Sequence, residues 1–209
     1  MSKNHFINHI DHYVDHFKLR PRLHCKVESA SFDEEDGKWR VAVQDLQTGG
    51  IGEYVASFVV VATGGNDQMV VPEFQGVQTF PGEVIHSSSY RNGSKYKGKD
   101  VLVVGCGNSG MEIALDLSDS GAKTSIVVRN KFHVVSREFL SWVMPLRKFL
   151  PIYILDVLLL FLCYLKYGDT SKYGIQRPMQ GPIHLIETAI YPVIDVGTCQ
   201  KIKSGDIKA

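Results

Sequence analysis

The feature that most constrains this sequence is a glycine pattern, G-x-G-x-x-G, at residues 105–110. An apolar segment, Val101–Val104, leads directly into it, and apolar residues at helical spacing follow in Met111–Leu117. Gly121 ends the helical pattern, and a second strand is predicted at Thr124–Val128. Strand, glycine loop, helix and strand make a βαβ unit of the Rossmann type, which binds dinucleotides. The alternative is a glycine-rich turn in an unrelated α/β fold.

Each glycine of this loop is expected to serve a separate purpose. Gly105 makes the tight turn, Gly107 lets the backbone approach the pyrophosphate, and Gly110 lets helix and strand pack closely. The free N–H groups and the dipole at the helix start then stabilise the anion. We expect Asn108 and Ser109 to contact the pyrophosphate, and a simple helix-start cap is the alternative for both.

The end of the second strand selects the nucleotide. Sites for NAD usually carry Asp or Glu there to bind the ribose 2′-hydroxyl, whereas this sequence has Arg129 followed by Asn130 and Lys131. A guanidinium can pair with a 2′-phosphate, and a carboxylate would repel it. The sequence therefore predicts NADPH rather than NADH. A solvated arginine at a strand end is the alternative.

Composition excludes several broad classes of protein. The chain has 209 residues, 44% of them hydrophobic and 22% charged, with a formal net charge of +1. That balance can bury a core, so global disorder is excluded, and it offers no basic surface for nucleic acid. The four cysteines form no C-x-x-C pair, so neither a zinc ribbon nor a disulfide scaffold is indicated. We expect reduced thiols in a cytoplasmic protein.

The amino-terminal part begins with a predicted helix at Asn4–Phe17, with no signal peptide before it. Four histidines lie on one stripe of this helix, at spacings that suit zinc: His5, His9, His12 and His16. No carboxylate or cysteine completes a ligand set. We therefore predict no metal site and interpret the stripe as a solvated helix face.

A β-meander is predicted after this helix. Strands are expected at Leu23–Ser31 and around Trp39–Val43, with a third after the turn at Gly49 and Gly50. The apolar run Phe58–Ala62 is typical of a strand buried on both faces of a sheet. Thr63–Gly64–Gly65 then stops it.

One segment, Pro151–Leu165, is apolar enough to raise the question of a membrane. Asp156 interrupts it, and it is shorter than the roughly 20 residues that span a bilayer. We predict a buried or substrate-side helix. The alternative is an interfacial helix, which would place the protein at the surface of the endoplasmic reticulum membrane.

A second motif points to a family. Phe80, Gly82, His86 and Tyr90 fit F-x-G-x-x-x-H-x-x-x-Y, which resembles the identifying motif of class B flavin-dependent monooxygenases. It lies between the Ala62–Thr63–Gly64 element and the glycine loop, as in that family. The sequence is also similar to the plant YUCCA branch in five segments: 98–112, 173–178, 181–182, 192–197 and 202–207.

The resemblance implies a reaction and its cofactors. YUCCA enzymes use NADPH, FAD and O2 to convert indole-3-pyruvate to indole-3-acetic acid, the main auxin. The flavin carries the chemistry, so no catalytic side chain is predicted. By the resemblance, Thr63 and Gly64 approach FAD, with an ordinary strand-to-loop turn as the alternative. His86 is expected to couple domain motion to NADPH binding, with a structural hydrogen bond or direct chemistry as alternatives.

The sequence thus predicts an α/β protein in which a Rossmann-type NADPH-binding domain is inserted in a truncated FAD-binding domain with a β-meander. We expect residues 1–79 to be the later part of the first FAD-binding segment, 80–98 a linker with the motif, and 99–209 the NADPH domain. No G-x-G-x-x-G precedes Val59, so the FAD phosphate loop is absent. A non-catalytic nucleotide-binding fragment and a general N- or S-oxygenating enzyme are the alternatives.

Overall fold

The chain forms two units, Met1–Asp67 and Gln68–Ala209. The computed structural model describes residues 3–64 and 69–209, with side chains from residue 5 onward. Gly65, the last residue of the predicted strand stop, lies outside the described residues.

The first unit contains a helix and a meander. Helix α1 spans Lys3–His16, and three antiparallel strands follow in the order β1-β2-β3, at Cys25–Asp33, Lys38–Asp45 and Ile51–Ala56. The predicted meander is therefore confirmed. Strand β2 lies in the centre of the sheet and is partly buried along nearly its whole length, so its burial does not alternate as its sequence does.

Two aspartates build the turns of the meander. Asp33 Oδ1 accepts hydrogen bonds from the backbone N–H groups of Glu35 and Asp36, at 3.1 and 3.3 Å. Asp45 Oδ1 does the same for Gln47 and Thr48, at 2.8 and 3.0 Å. Such side-chain bonds replace missing backbone partners, so these residue types set where each strand ends.

The expectation for Phe58–Ala62 was wrong. The run forms no strand, and Phe58, Val60 and Val61 are 87%, 85% and 82% exposed. An apolar composition favours a buried strand only where neighbouring strands accept its backbone hydrogen bonds. Among the described residues, no strand pairs with this run.

A parallel sheet organises the second unit. Strand β4 at Asp100–Val104 leads through helix α2 at Asn108–Asp119 to strand β5 at Lys123–Val127. The two strands pair in parallel from Asp100↔Lys123 to Val104↔Val127. This is the predicted βαβ unit, with boundaries close to those expected.

Further elements complete this unit. They are strand β6 (Val134–Val135), helices α3 (Arg137–Val143), α4 (Ile152–Tyr167) and α5 (Pro182–Glu187), strand β7 (Val193–Ile194), helix α6 (Thr198–Ser204) and strand β8 (Ile207–Lys208). Strand β8 pairs in parallel with β5, and β7 pairs in parallel with β6. The buried core draws on all of these helices and strands.

Helix α4 contains most of the apolar segment predicted at Pro151–Leu165. One face is buried through Leu155, Leu159 and Cys163, while Val157 and Leu165 are 67% and 65% exposed. The helix is thus buried on one side only. In the part of the chain that the structure describes, no helix has the length and apolar character needed to cross a membrane.

Candidate functional site

The glycine loop has the backbone geometry that its sequence predicts. Gly105 has a φ of +110°, which a residue with a side chain rarely adopts. A Cβ on Gly110 would lie 2.1 Å from the carbonyl oxygen of Gly105, so only glycine allows the helix to start this close to the strand. A Cβ on Gly107 would meet no atom within 4 Å. The loop is therefore closed on the protein side and open at Gly107.

The start of helix α2 faces this open space. The first N–H groups of a helix have no acceptor within the helix, and together with the helix dipole they attract an anion. Gly107 is the residue before the helix and provides no side-chain cap. Ser109 is exposed in the first turn. This arrangement fits a phosphate group of a dinucleotide.

Asn108 has a structural partner that its position in the loop did not indicate. Its Oδ1 accepts a hydrogen bond from the backbone N–H of Ile194 at 2.8 Å. Thr198 Oγ1 donates to the carbonyl of Met111 at 2.9 Å and is fully buried. The segment that contains β7 and the start of α6 therefore holds the first turns of α2. The Asn108 side-chain oxygen makes this structural contact, although the side chain as a whole is exposed.

Arg129 lies just beyond the carboxyl end of β5, at the same edge of the sheet as the loop. Because Val104 pairs with Val127, Arg129 and Cys106 follow at equivalent distances from the two strand ends. Burial raises the pKa of the Cys106 thiol, and a hydrogen bond with the Arg129 backbone opposes that rise. The Arg129 side chain is exposed. The loop and the predicted 2′-phosphate residue thus lie on neighbouring strand ends.

The first half of the F-x-G-x-x-x-H-x-x-x-Y motif is locally packed. A Cβ on Gly82 would lie 2.4 Å from Cε1 of Phe80, so the phenylalanine ring occupies the space that a side chain at residue 82 would need. His86 Nδ1 accepts from the backbone N–H of Ser88 at 3.2 Å and lies 2.9 Å from Ser88 Oγ. His86 therefore caps the short 3₁₀ turn at Ser87–Ser89.

The last residue of the motif reaches the nucleotide helix. The Tyr90 hydroxyl donates to Asp116 Oδ2 at 2.5 Å, and the backbone N–H of Gly93 donates to the same oxygen at 2.7 Å. Burial, together with the Asp116 carboxylate, raises the pKa of the Tyr90 phenol well above its usual value. Asp116 lies on α2, so the motif segment is attached to the helix that starts at the glycine loop.

Thr63 and Gly64, the residues expected near FAD, belong to the first unit. Both are exposed, and Gly64 has a φ of +74°, in the left-handed region that favours glycine. The sequence holds one G-x-G-x-x-G, at residues 105–110. Contact of Thr63 and Gly64 with FAD stays a prediction.

The histidine stripe lies on α1 as predicted. The rings of His12 and His16 lie side by side on it, with their centroids 6.3 Å apart and 30° between their planes. Over residues 3–64 and 69–209, no group of three or more His, Cys, Asp or Glu side chains is arranged to hold a metal ion.

Sequence reasoning missed three residues that support the candidate site: Asp116, Ile194 and Thr198. Asp116 has no distinguishing local signal, since it is one acidic residue on the exposed side of an amphipathic helix. Ile194 and Thr198 fall within or beside a segment whose resemblance to the YUCCA branch was noted at 192–197. That resemblance indicated that the segment belongs to the family pattern, but it did not predict that the segment contacts α2.

Comparison with known proteins identifies the family of this chain. Residues 1–148 match the family described as pyridine nucleotide-disulphide oxidoreductase. The chain is 46% identical over 209 residues to the probable indole-3-pyruvate monooxygenase YUCCA10 of Arabidopsis thaliana, covering 100% of this chain and 55% of that protein. It is 44% identical over 213 residues to the indole-3-pyruvate monooxygenase YUCCA1 of Oryza sativa subsp. japonica, covering 99% and 51%. The resemblance to the YUCCA branch is confirmed, and the chain spans about half the length of these relatives.

Solved structures agree on the fold. Oxidized steroid monooxygenase bound to NADP has a TM-score of 0.56 at 27% identity, over 65% of this chain and 26% of that one. Cyclohexanone monooxygenase from Rhodococcus sp. Phi1, bound to NADP+, has a TM-score of 0.54 at 25% identity, over 71% and 29%. These similarities confirm the predicted α/β class with a Rossmann-type nucleotide-binding fold.

Proposed function

The chain belongs to the pyridine nucleotide-disulphide oxidoreductase family, and from that premise we propose that it belongs to a flavin-dependent monooxygenase and supplies its NADPH-binding domain and a segment of its FAD-binding domain. The proposed substrate is indole-3-pyruvate, which oxidative decarboxylation with O2 converts to indole-3-acetic acid. From the sequence we predict that the protein lies in the cytoplasm, with the membrane surface of the endoplasmic reticulum as the alternative.

The observation that carries the nucleotide site is the open space over Gly107. The loop turns tightly at Gly105, packs against the strand at Gly110, and leaves no atom within 4 Å of a Cβ placed on Gly107. A pyrophosphate can approach the backbone there and accept hydrogen bonds from the first turn of α2. Gly105, Gly107, Asn108, Ser109 and Gly110 are the residues we propose to hold it.

The preference for NADPH is assigned to Arg129. Its guanidinium is exposed just past the end of β5, which is the strand end that faces the adenosine ribose in this kind of fold. The negatively charged 2′-phosphate of NADPH can accept two parallel hydrogen bonds from it, whereas the 2′-hydroxyl of NADH is uncharged.

The substrate and the flavin are proposed from the relatives. Proteins named as indole-3-pyruvate monooxygenases match this chain over nearly all of its residues. When bound, FAD would supply the redox and oxygen chemistry. The residues of this chain would bind and orient NADPH, and the motif segment with His86 would couple nucleotide binding to domain motion.

A nucleotide titration tests the first part of the proposal. We expect NADPH to bind more tightly than NADH, and Arg129→Ala to lower NADPH affinity by about tenfold or more while leaving NADH affinity nearly unchanged. Lys123→Ala is the matched control, because it removes a cation from the opposite end of the same strand, where Lys123 pairs with Asp100 at 3.7 Å. Equal affinities for the two nucleotides in the unmodified chain would contradict the assignment of Arg129.

Flavin content and product formation test the second part. The purified chain is examined for the visible absorbance of bound flavin, then supplied with FAD, NADPH and indole-3-pyruvate and assayed for indole-3-acetic acid. Flavin binding with product supports the monooxygenase. A colourless chain that binds NADPH and forms no product supports the alternative of a non-catalytic nucleotide-binding protein.

A further inference from the structure

Helix α2 carries an acidic side chain that connects the two motifs of this sequence. We propose that Asp116 is a positioning residue, which holds the H-x-x-x-Y half of the motif on α2 and thereby sets the affinity of the glycine loop for NADPH. This inference rests on the proposed nucleotide site and adds a residue that neither motif contains.

The contact is made by one oxygen atom with two donors. Asp116 Oδ2 accepts from the Tyr90 hydroxyl at 2.5 Å and from the Gly93 backbone N–H at 2.7 Å. One donor is a side chain and the other is the backbone three residues later, so a single carboxylate fixes both the ring and the chain that follows it. Hydrogen bonds to a charged acceptor are stronger than those between neutral groups.

Gly93 packs so closely against α2 that no side chain fits at this position. Gly93 is buried, and a Cβ there would lie 2.6 Å from the carbonyl oxygen of Asp116 and 2.6 Å from Ser120 Oγ. The backbone of the segment therefore lies directly against the backbone of α2. A side chain on residue 93 would force the two apart, so this is a close approach that requires glycine.

The attached segment is internally braced, so it can act as one piece. His86 caps the turn at Ser87–Ser89, and Asn92 Oδ1 caps the next turn by accepting from the Ser94 backbone N–H at 3.2 Å. The rings of Tyr90 and Tyr96 stack at 6.2 Å with 12° between their planes. Moving Asp116 would therefore move the whole segment from His86 onward.

Helix α2 links this contact to the glycine loop. Asp116 is six residues after Gly110 on the same helix, which corresponds to about 9 Å along the helix axis. The first turns of α2 are held from another side by Ile194 and Thr198. The helix is thus fixed near both ends, and releasing one end is expected to loosen the phosphate-binding N–H groups at the other.

The test compares nucleotide affinity with stability in the same variants. Tyr90→Phe removes only the hydroxyl, and Asp116→Ala removes the acceptor. We expect each to raise the NADPH dissociation constant by about fivefold or more. The double variant should bind no more weakly than Asp116→Ala alone, because Asp116→Ala already removes the hydrogen bond that Tyr90→Phe removes. Asp116→Asn keeps an acceptor oxygen in place and is expected to restore most of the affinity.

A control variant and two possible contrary results complete the test. Asp119→Ala removes an exposed acidic residue of the same helix, which pairs with Lys201 at 3.0 Å, and should leave NADPH affinity unchanged. If Tyr90→Phe and Asp116→Ala lower the melting temperature but bind NADPH normally when folded, Asp116 is merely structural and this inference is wrong. An unmodified chain that binds no NADPH would instead overturn the proposed function, and this inference with it.

Discussion

The Tyr90 hydroxyl donates a 2.5 Å hydrogen bond to Asp116 Oδ2 across 26 residues of sequence. This contact gives a physical reason for tyrosine at the last position of F-x-G-x-x-x-H-x-x-x-Y, since phenylalanine has no donor to offer the carboxylate. Burial and the neighbouring negative charge both oppose the phenolate, and they raise the pKa of Tyr90.

Alkaline unfolding should report this contact. A phenol whose pKa is higher in the folded chain than in the unfolded chain, where it is about 10, stabilises the fold fully below pH 10. That contribution is lost as the pH rises above 10, because the unfolded chain releases the proton first. We expect Tyr90→Phe to flatten the fall in stability above pH 10, measured by denaturant unfolding at a series of pH values.

Asp116→Asn serves as the comparison for this titration. Removing the negative charge should lower the pKa of Tyr90 toward its usual value, so ultraviolet absorbance should show phenolate forming at lower pH than in the unmodified chain. Identical absorbance titrations for the two proteins would show that Asp116 does not act on Tyr90 in solution.

Two glycines of the loop should respond differently to alanine. A Cβ on Gly110 would lie 2.1 Å from the carbonyl oxygen of Gly105, and this backbone atom cannot move aside cheaply. We expect Gly110→Ala to lower the free energy of unfolding by about 1–3 kcal/mol and to weaken NADPH binding. Gly107 has open space around it and an ordinary φ of −70°. The Gly107→Ala variant should therefore be as stable as the unmodified chain and lose only affinity for NADPH. Thermal melts followed by NADPH titration separate the two effects, and equal melting temperatures would refute the distinction.

A buried carboxylate in α4 should stabilise helix α5. Asp156 accepts from the backbone N–H groups of Ile183 and His184, at 2.7 and 3.4 Å, and is 7% exposed. Asp156→Ala leaves these donors without an acceptor, so we expect a loss of about 1–3 kcal/mol in the free energy of unfolding. Gly181→Ala should also destabilise, because its Cβ would lie 2.1 Å from Asp156 Cγ.

Chemical denaturation followed by circular dichroism measures these losses. The exposed residue Asp119 provides the matched control, since Asp119→Ala removes an acidic side chain from a helix surface, where an ion pair contributes little. If Asp156→Ala were as stable as this control, the contact of Asp156 with α5 would be unimportant for folding.

Acid stability should depend on His133. Its Nε2 lies 2.7 Å from the carbonyl oxygen of Gln180, to which it donates, and its buried Nδ1 has no partner among the described residues. Burial lowers the pKa of His133 in the folded chain. The unfolded chain then binds more protons below pH 6.5, so stability is present above that pH and is lost as the pH falls, by up to about 1.4 kcal/mol per pH unit.

His133→Phe isolates this effect. The phenyl ring fills similar space without a titrating group, so the acid limb of the stability curve should flatten, although the hydrogen bond to Gln180 is lost at every pH. His9→Gln, on the exposed surface of α1, is the control substitution. An unchanged acid limb in His133→Phe would assign the pH dependence to other groups.

The sequence by itself determined the βαβ unit, its glycine loop and the meander. Their signals are local: alternation in the strands, helical spacing after Gly110, and turn residues such as Asp33 and Asp45 act within a few residues of one another. Tertiary structure alone decided the partners of Asn108 and Asp116, because residues 86 and 26 positions apart leave no joint pattern in a single sequence. It also decided the exposure of Phe58–Ala62, since an apolar run becomes a buried strand only where a neighbouring strand accepts its hydrogen bonds.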